Sequence, residues 1–120
     1  MSKYVDGFVL PLPKDKVEAY RKIASHAGSI WKEHGALEYV ETVLDDPECM
    51  DMIPFPRLAN AGADETVVFA WIVYESREQR DAVNAKVMDD PRMKEMMQQD
   101  DDSFDYTRMA YGGFTTIVST

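Results

Sequence analysis

Residues 66–74, TVVFAWIVY, are apolar almost throughout. A β-strand turns alternate side chains to opposite faces, so a run of this kind is a strand covered on both. The chain has 120 residues, one domain's worth, and 1–120 is expected to fold as a single domain. Its composition, 45% hydrophobic and 29% charged, is that of a globular chain and rules out wholesale disorder. Everything else depends on what covers that strand.

Residues 4–10, YVDGFVL, read as a first strand with a prolyl stop at Pro11 and Pro13. A helix follows. Asp15 and Glu18 have capping-box spacing, and Val17, Tyr20, Ala24, Ala27 and Trp31 recur on one helical stripe. Gly35 ends that helix, and His34 beside it suits the negative end of the helix dipole. Residues 36–44, ALEYVETVL, alternate polar and apolar as a second strand. The stretch 45–64 carries Pro47, Pro54 and Pro56 and exceeds an ordinary connection, which predicts a folded-over loop or lid. Ser76 and Gln79 form a second capping box, opening a helix through about Met88. Asp90 and Pro91 cap and start a short third helix. The run Asp100, Asp101, Asp102 marks a solvated loop. Residues 107–118 supply a last strand, whose Gly112–Gly113 pair predicts a bulge or a close approach to the backbone.

The order β-α-β-β-α-(α)-β is the ferredoxin-like plan of the α+β class. It predicts a four-stranded antiparallel sheet of order 4-1-3-2 with its helices on one face. The other face is then bare. Strand one also offers apolar residues to both sides, Tyr4, Phe8 and Leu10 to one and Val5 and Val9 to the other. A monomer would expose roughly several hundred Å² of apolar sheet, which soluble proteins cover. A homodimer with two sheets face to face, closing a dimeric α+β barrel, covers it most simply. The competing cover is internal, by the 45–64 loop and the helix around Met88, Met93, Met96 and Met97. Those methionines otherwise read as gap fillers.

Thirteen Lys and Arg against twenty-two Asp and Glu give a net charge of −9. That field repels phosphate backbones and anionic lipid, so neither nucleic acid nor membrane is an expected partner. A lone Cys49 and an N-terminal stretch too poor in apolar residues for export or membrane insertion point to the cytoplasm. No HExxH, CxxC, Walker or GxGxxG motif is present. His26 and His34 stand eight apart on one helix, about 12 Å along its axis, too far to share a metal. His26 reads as solvent-facing. No metal and no cofactor is expected, and Cys49 has no histidine nearby in sequence to activate it.

Asp6 interrupts an apolar strand, and a buried carboxylate must be paired, hydrogen-bonded or protonated. Antiparallel register puts it near Tyr111 to Gly113 rather than opposite Arg108. The Tyr111 hydroxyl, the Trp71 indole or a group from a partner chain is expected to satisfy it. Asp6 is then either a paired core residue or a functional carboxylate in a dimer cavity. Asn84 faces either a ligand or water from the second long helix, and Trp31 and Trp71 pack in the core by default.

YVDGFV at 4–9, GALEYVET at 35–42, the span from DETVVFAWIVY to MKEM at 64–96 and RMAYGGF at 108–114 resemble the bacterial domain-of-unknown-function family 1428. The resemblance implies a dimeric α+β barrel and carries no established activity. The wider superfamily of that fold includes cofactor-free monooxygenases, haem-degrading enzymes and stress-response proteins. Trp71 matches a tryptophan of the haem-degrading members, but 76–88 lacks the histidine that follows it in them, so haem ligation is not implied. Quinone-type monooxygenases of that superfamily orient an electron-rich aromatic substrate with Trp, Asn, Tyr or Arg, and Trp71, Tyr111 and Asp6 are candidates to line such a cavity here. The in-strand Asp6 is then expected to take a proton from a phenolic ring that the other two hold. The expectation is thus a homodimer binding a small aromatic or apolar molecule, with cofactor-free oxidation as its reaction. The alternative is a non-enzymatic dimer that acts through interactions or in stress.

Overall fold

A computed structural model describes residues 3–99 and 105–120 of the chain. The elements are β1 (Tyr4–Pro13), α1 (Val17–Glu33), β2 (Glu38–Val43), α2 (Phe55–Leu58), β3 (Glu65–Tyr74), α3 (Arg77–Asp89), α4 (Pro91–Gln98) and β4 (Ala110–Thr115). They form one antiparallel sheet of order β2-β3-β1-β4. This is the strand order expected from the sequence. The acidic run Asp100–Asp102 lies outside the described residues.

β1 runs through both prolines instead of stopping at them. Lys3 O accepts from Thr116 N, so odd-numbered residues of β1 aim their backbone groups toward β4. β4 pairs only as far as Val9. Pro11 and Pro13, which have no N–H, therefore turn their nitrogens to the side that β4 has left, while β3 pairs along the whole length.

The expected box of Asp15 and Glu18 does not form. Lys14–Lys16 make a single 3-10 turn, α1 starts without a side-chain cap, and Glu18 pairs with Arg21 at 3.1 Å. The other helix signals hold. Ser76 Oγ accepts from Gln79 N, and Asp90 accepts from Arg92 N ahead of Pro91. Gly35, at φ +120°, closes α1 with Gly35 N donating to Lys32 O and Ala36 N to Trp31 O. His34, at the end of α1, lies 2.8 Å from Asp90 at the start of α4, which ties these two helix ends together.

Register sorts the side chains. Tyr4, Asp6, Phe8, Leu10, Tyr39, Glu41, Val68, Ala70, Ile72, Tyr74, Tyr111 and Gly113 share the helix-covered face. Ile30, Val83, Val87 and Met93 pack on it and are buried with Ile72 and Tyr74. Val5, Val9, Val40, Phe69, Trp71, Val73 and Phe114 share the other face, where Phe69 is 45% and Phe114 59% exposed. The segment 45–64 covers one corner of that open face, with the Phe55 ring 6.0 Å from Phe69.

The glycine pair of β4 marks a close approach and not a bulge, since pairing is continuous through Asp6–Gly113 and Gly7–Gly112. The Tyr4 ring lies against Gly113, and the Phe114 ring packs over Gly7 and Gly112. β4 is shorter than the expected 107–118, because Tyr106–Arg108 form a 3-10 turn capped by Asp105. Gly28 has a similar use in α1: a Cβ there would stand 2.7 Å from the Tyr39 ring. That ring is anchored by its hydroxyl to Glu41 and cannot move away. Gly28→Ala is therefore expected to cost about 1–3 kcal/mol despite alanine's better helix propensity, as read by urea denaturation.

Candidate functional site

A cavity of about 370 Å³ lies between the helix-covered face and the helices α1 and α4. Phe8, Ala70 and Ile72 form its floor, Ala24, Ala27 and Trp31 one wall, and Met93, Met96, Met97 and Met109 another. The methionines thus do more than fill gaps: Met93 is buried, while Met88 and Met97 are about half exposed at the cavity's edge. A second cavity of about 400 Å³ opens between α1 and β2 and shares Tyr20, Ala24, Tyr39 and Glu41 with the first. No residue of 45–64 lines either cavity, so that segment is not a lid over them.

Glu41 stands between the two spaces. Its Oε1 accepts from the Tyr20 hydroxyl and its Oε2 from the Tyr39 hydroxyl, each at 2.7 Å. Burial, and then the adjacent Glu41 charge, push both phenols well above the ordinary tyrosine range, so they remain donors. Sequence reasoning missed this group. Its signal was the alternation of β2, which puts Glu41 on the same side as Tyr39, facing inward from an edge strand.

Asp6 is 1% exposed. Arg80 Nη1 donates to its Oδ1 at 2.8 Å, and the Tyr111 hydroxyl donates to the same oxygen at 3.2 Å. The Tyr111 hydroxyl expected to meet it is thus there, and Asp6 faces Gly113 across the ladder as the register argument requires. Arg108 is elsewhere, paired with Glu65 at 2.8 Å. Trp71 corrects the expectation: its indole lies on the opposite face and donates to Glu38 at 3.1 Å. The unforeseen partner is Arg80 of α3, whose guanidinium also sits 5.0 Å from the Tyr4 ring centroid. Desolvation dominates at Asp6 and lifts its pKa above the usual aspartate value, against the pull of Arg80 and Tyr111.

Asn84 faces neither open water nor empty space with its amide oxygen. That oxygen accepts from the Trp31 indole at 3.1 Å and from the Tyr74 hydroxyl at 3.3 Å. Trp31 lines the cavity and Asn84 does not. Asp6 and Tyr111 line neither cavity, although the Tyr111 ring is 5.1 Å from Phe8, which lines the first. Of the four residues named from sequence, Asp6 and Tyr111 are brought together, Asn84 stands behind the cavity wall, and Trp71 lines the first cavity from β3 with its indole turned to the opposite face of the sheet. His26 is exposed, and no cluster of His, Cys, Asp and Glu suited to a metal occurs among the described residues. Nor does any described helix have the length and apolarity to cross a membrane.

The sequence pattern of "Protein of unknown function (DUF1428)" matches residues 3–106. The chain belongs to this family. It is 47% identical over 116 residues to the uncharacterized protein YbaA of Escherichia coli K12, covering 97% of each chain, and equally similar to YbaA of Shigella flexneri. Among solved structures it resembles a dimeric ferredoxin-like protein from an uncultured marine organism, with a TM-score of 0.63, 9% identity and full coverage of both chains. It is similarly close to SnoaB, a cofactor-independent oxygenase from Streptomyces nogalater, with a TM-score of 0.63, 8% identity and coverage of 99% and 97%. A nipsnap-family protein of unknown function from Agrobacterium tumefaciens follows, with a TM-score of 0.58, 15% identity and coverage of 95% and 87%. At such identities the likeness is one of fold, and it places this DUF1428 chain in the ferredoxin-like α+β class.

Removing Arg80 from this DUF1428 protein leaves the Asp6 carboxylate buried without a cation. Arg80→Ala is expected to lose about 3–5 kcal/mol at neutral pH. The folded-state pKa of Asp6 is already raised and rises further in the variant, so the native state takes up a proton that the unfolded chain does not. The deficit should therefore shrink as pH falls from neutral toward about 4. Urea denaturation of both proteins across that range reads the effect.

Proposed function

We propose that this protein is a homodimer that binds a small apolar or aromatic molecule between its sheet and its helices. The observation that carries the reading is the first cavity, with its apolar floor, its methionine wall and a few polar groups converging at Glu41. Its volume of about 370 Å³ is within the range of small-molecule sites. Methionine walls adapt to the shape of an apolar guest.

The dimer draws support from the open face, where Val5, Val40, Phe69, Trp71 and Phe114 form an apolar surface of the kind that soluble proteins cover. Fold neighbours described as dimeric lend it weight by analogy. In this proposal Trp71 belongs to the subunit interface, Asn84 sets the plane of the Trp31 ring from behind, and Tyr111 braces Asp6 against Phe8. Asp6, spent on Arg80 and Tyr111, is assigned a structural part in place of the proton-accepting one. Cofactor-free oxidation, the activity named for SnoaB, thus has no placed base here, and the proposal stops at binding.

Native mass spectrometry of freshly purified protein tests the binding. The expected result is a dimer with a reproducible extra mass, lost in Ala24→Leu, which fills the wall common to both cavities. A bare dimer at every preparation condition would overturn it. The interface has its own check. Phe69→Glu puts a charge in the middle of the open face and should give a folded monomer by light scattering, and a dimer that persists would place the contact elsewhere.

A further inference from the structure

Among the described residues, the first cavity has one charged side chain on its wall, Glu41, and no Lys, Arg or His. Rings of Phe8, Tyr20, Trp31, Tyr39 and Tyr106 also border it. Resting on the binding reading above, we infer that the cavity selects an organic cation: a protonated amine carried on an apolar or aromatic body.

Three features favour a cation over a neutral or anionic guest. A carboxylate offers about four lone-pair positions, and the two tyrosine hydroxyls occupy one on each Glu41 oxygen. The remainder suit N–H donors, and a charge-assisted bond of this type is roughly twice as strong as a neutral one. The π-faces of tryptophan and tyrosine attract cations within about 6 Å and offer nothing comparable to an anion. The chain as a whole, at −9, draws cations and repels anions.

Basic residues of the surrounding elements are engaged outside this cavity. Arg21 and Lys32 line the adjoining space between α1 and β2. Arg21 pairs with Glu18 at 3.1 Å, and Lys32 Nζ donates to Leu37 O at 2.8 Å. Arg80 is held by Asp6, Asp81 and Tyr111. None of them lines the first cavity, so among the described residues Glu41 has no cation across it. The class excluded is as informative as the class admitted: fatty acids, acyl phosphates and carboxylated aromatics would bring a second negative charge against Glu41.

Three probes that share one naphthyl body separate charge from shape: 2-naphthylmethylammonium, 2-naphthylmethanol and 2-naphthoate, titrated calorimetrically into the intact protein. The ammonium is expected to bind about tenfold more tightly than the alcohol, and the carboxylate more weakly than either. Glu41→Gln should remove the ammonium's advantage and leave the alcohol's affinity within about twofold. The wild-type ranking decides the matter even if that variant does not fold. An alcohol or carboxylate that binds as tightly as the ammonium, with all binding lost in Ala24→Leu, would overturn the cation inference and keep the cavity. Absence of binding by all three, or binding unaffected by Ala24→Leu, would overturn the cavity reading itself.

Discussion

A buried carboxyl group sits in the middle of the helix-covered sheet face, and the fold is arranged around keeping it paired. Asp6 lies on β1, one of the two strands with neighbours on both sides, and is 1% exposed. Arg80 reaches it from α3, and Tyr111 from β4. One side chain thereby ties a central strand, an edge strand and a helix to a single point. A lone buried carboxylate costs several kcal/mol, so the pairing fixes where α3 sits and which face of β4 turns inward. The Tyr74 hydroxyl then bonds Asn84, and Asn84 holds the Trp31 indole, which carries the polar chain from the strand next to Asp6 to the cavity wall.

This arrangement leaves α1 and α4 to frame an unfilled space. α1 meets the sheet through small residues, Ala24, Ala27 and Gly28, and these keep its backbone close where Tyr39 crosses it. α4 is held at its start by Asp90, which bonds Arg92 and His34 at once, and by Arg92 reaching back to Glu33. Its methionines line the gap beyond that fixed start. A rigid frame with a soft wall suits a guest whose charged end is specified and whose body is not.

Much of this fold was legible in the sequence, because the signals were local. The βαββαβ order, Gly35, the Ser76 and Asp90 caps and the glycine pair of β4 each follow from one or two residues and their neighbours. The Asp15–Glu18 box misled because Pro13 leads into a 3-10 turn and Glu18 turns to Arg21. Long-range facts were harder. Arg80 is 74 residues from Asp6, and an arginine amid SREQRDAVN reads as one more solvated helix charge. Trp71 was placed with Asp6 because TVVFAWIVY is apolar on both faces, so its own pattern cannot say which face meets the helices. Only pairing with β1, where Asp6 lies opposite Ile72, decides it. Glu41 was readable in principle, since alternation about Tyr39 fixes its side.

The two faces of the sheet separate two tasks that the sequence alone merges. Apolar residues on both sides of β3 look like one property, yet the helix-covered side encloses the cavity while the open side presents rings to the exterior. The carboxylates divide in the same way. Asp6 is paired with Arg80 and so is silent toward any guest, whereas among the described residues Glu41 is met by two hydroxyls, which stabilise its charge without cancelling it. Coulomb attraction at an uncancelled carboxylate is strengthened by the low-dielectric walls around it. A fold that spends an arginine on one inward carboxylate and withholds it from the next has kept one negative charge available, and it has kept it facing the cavity.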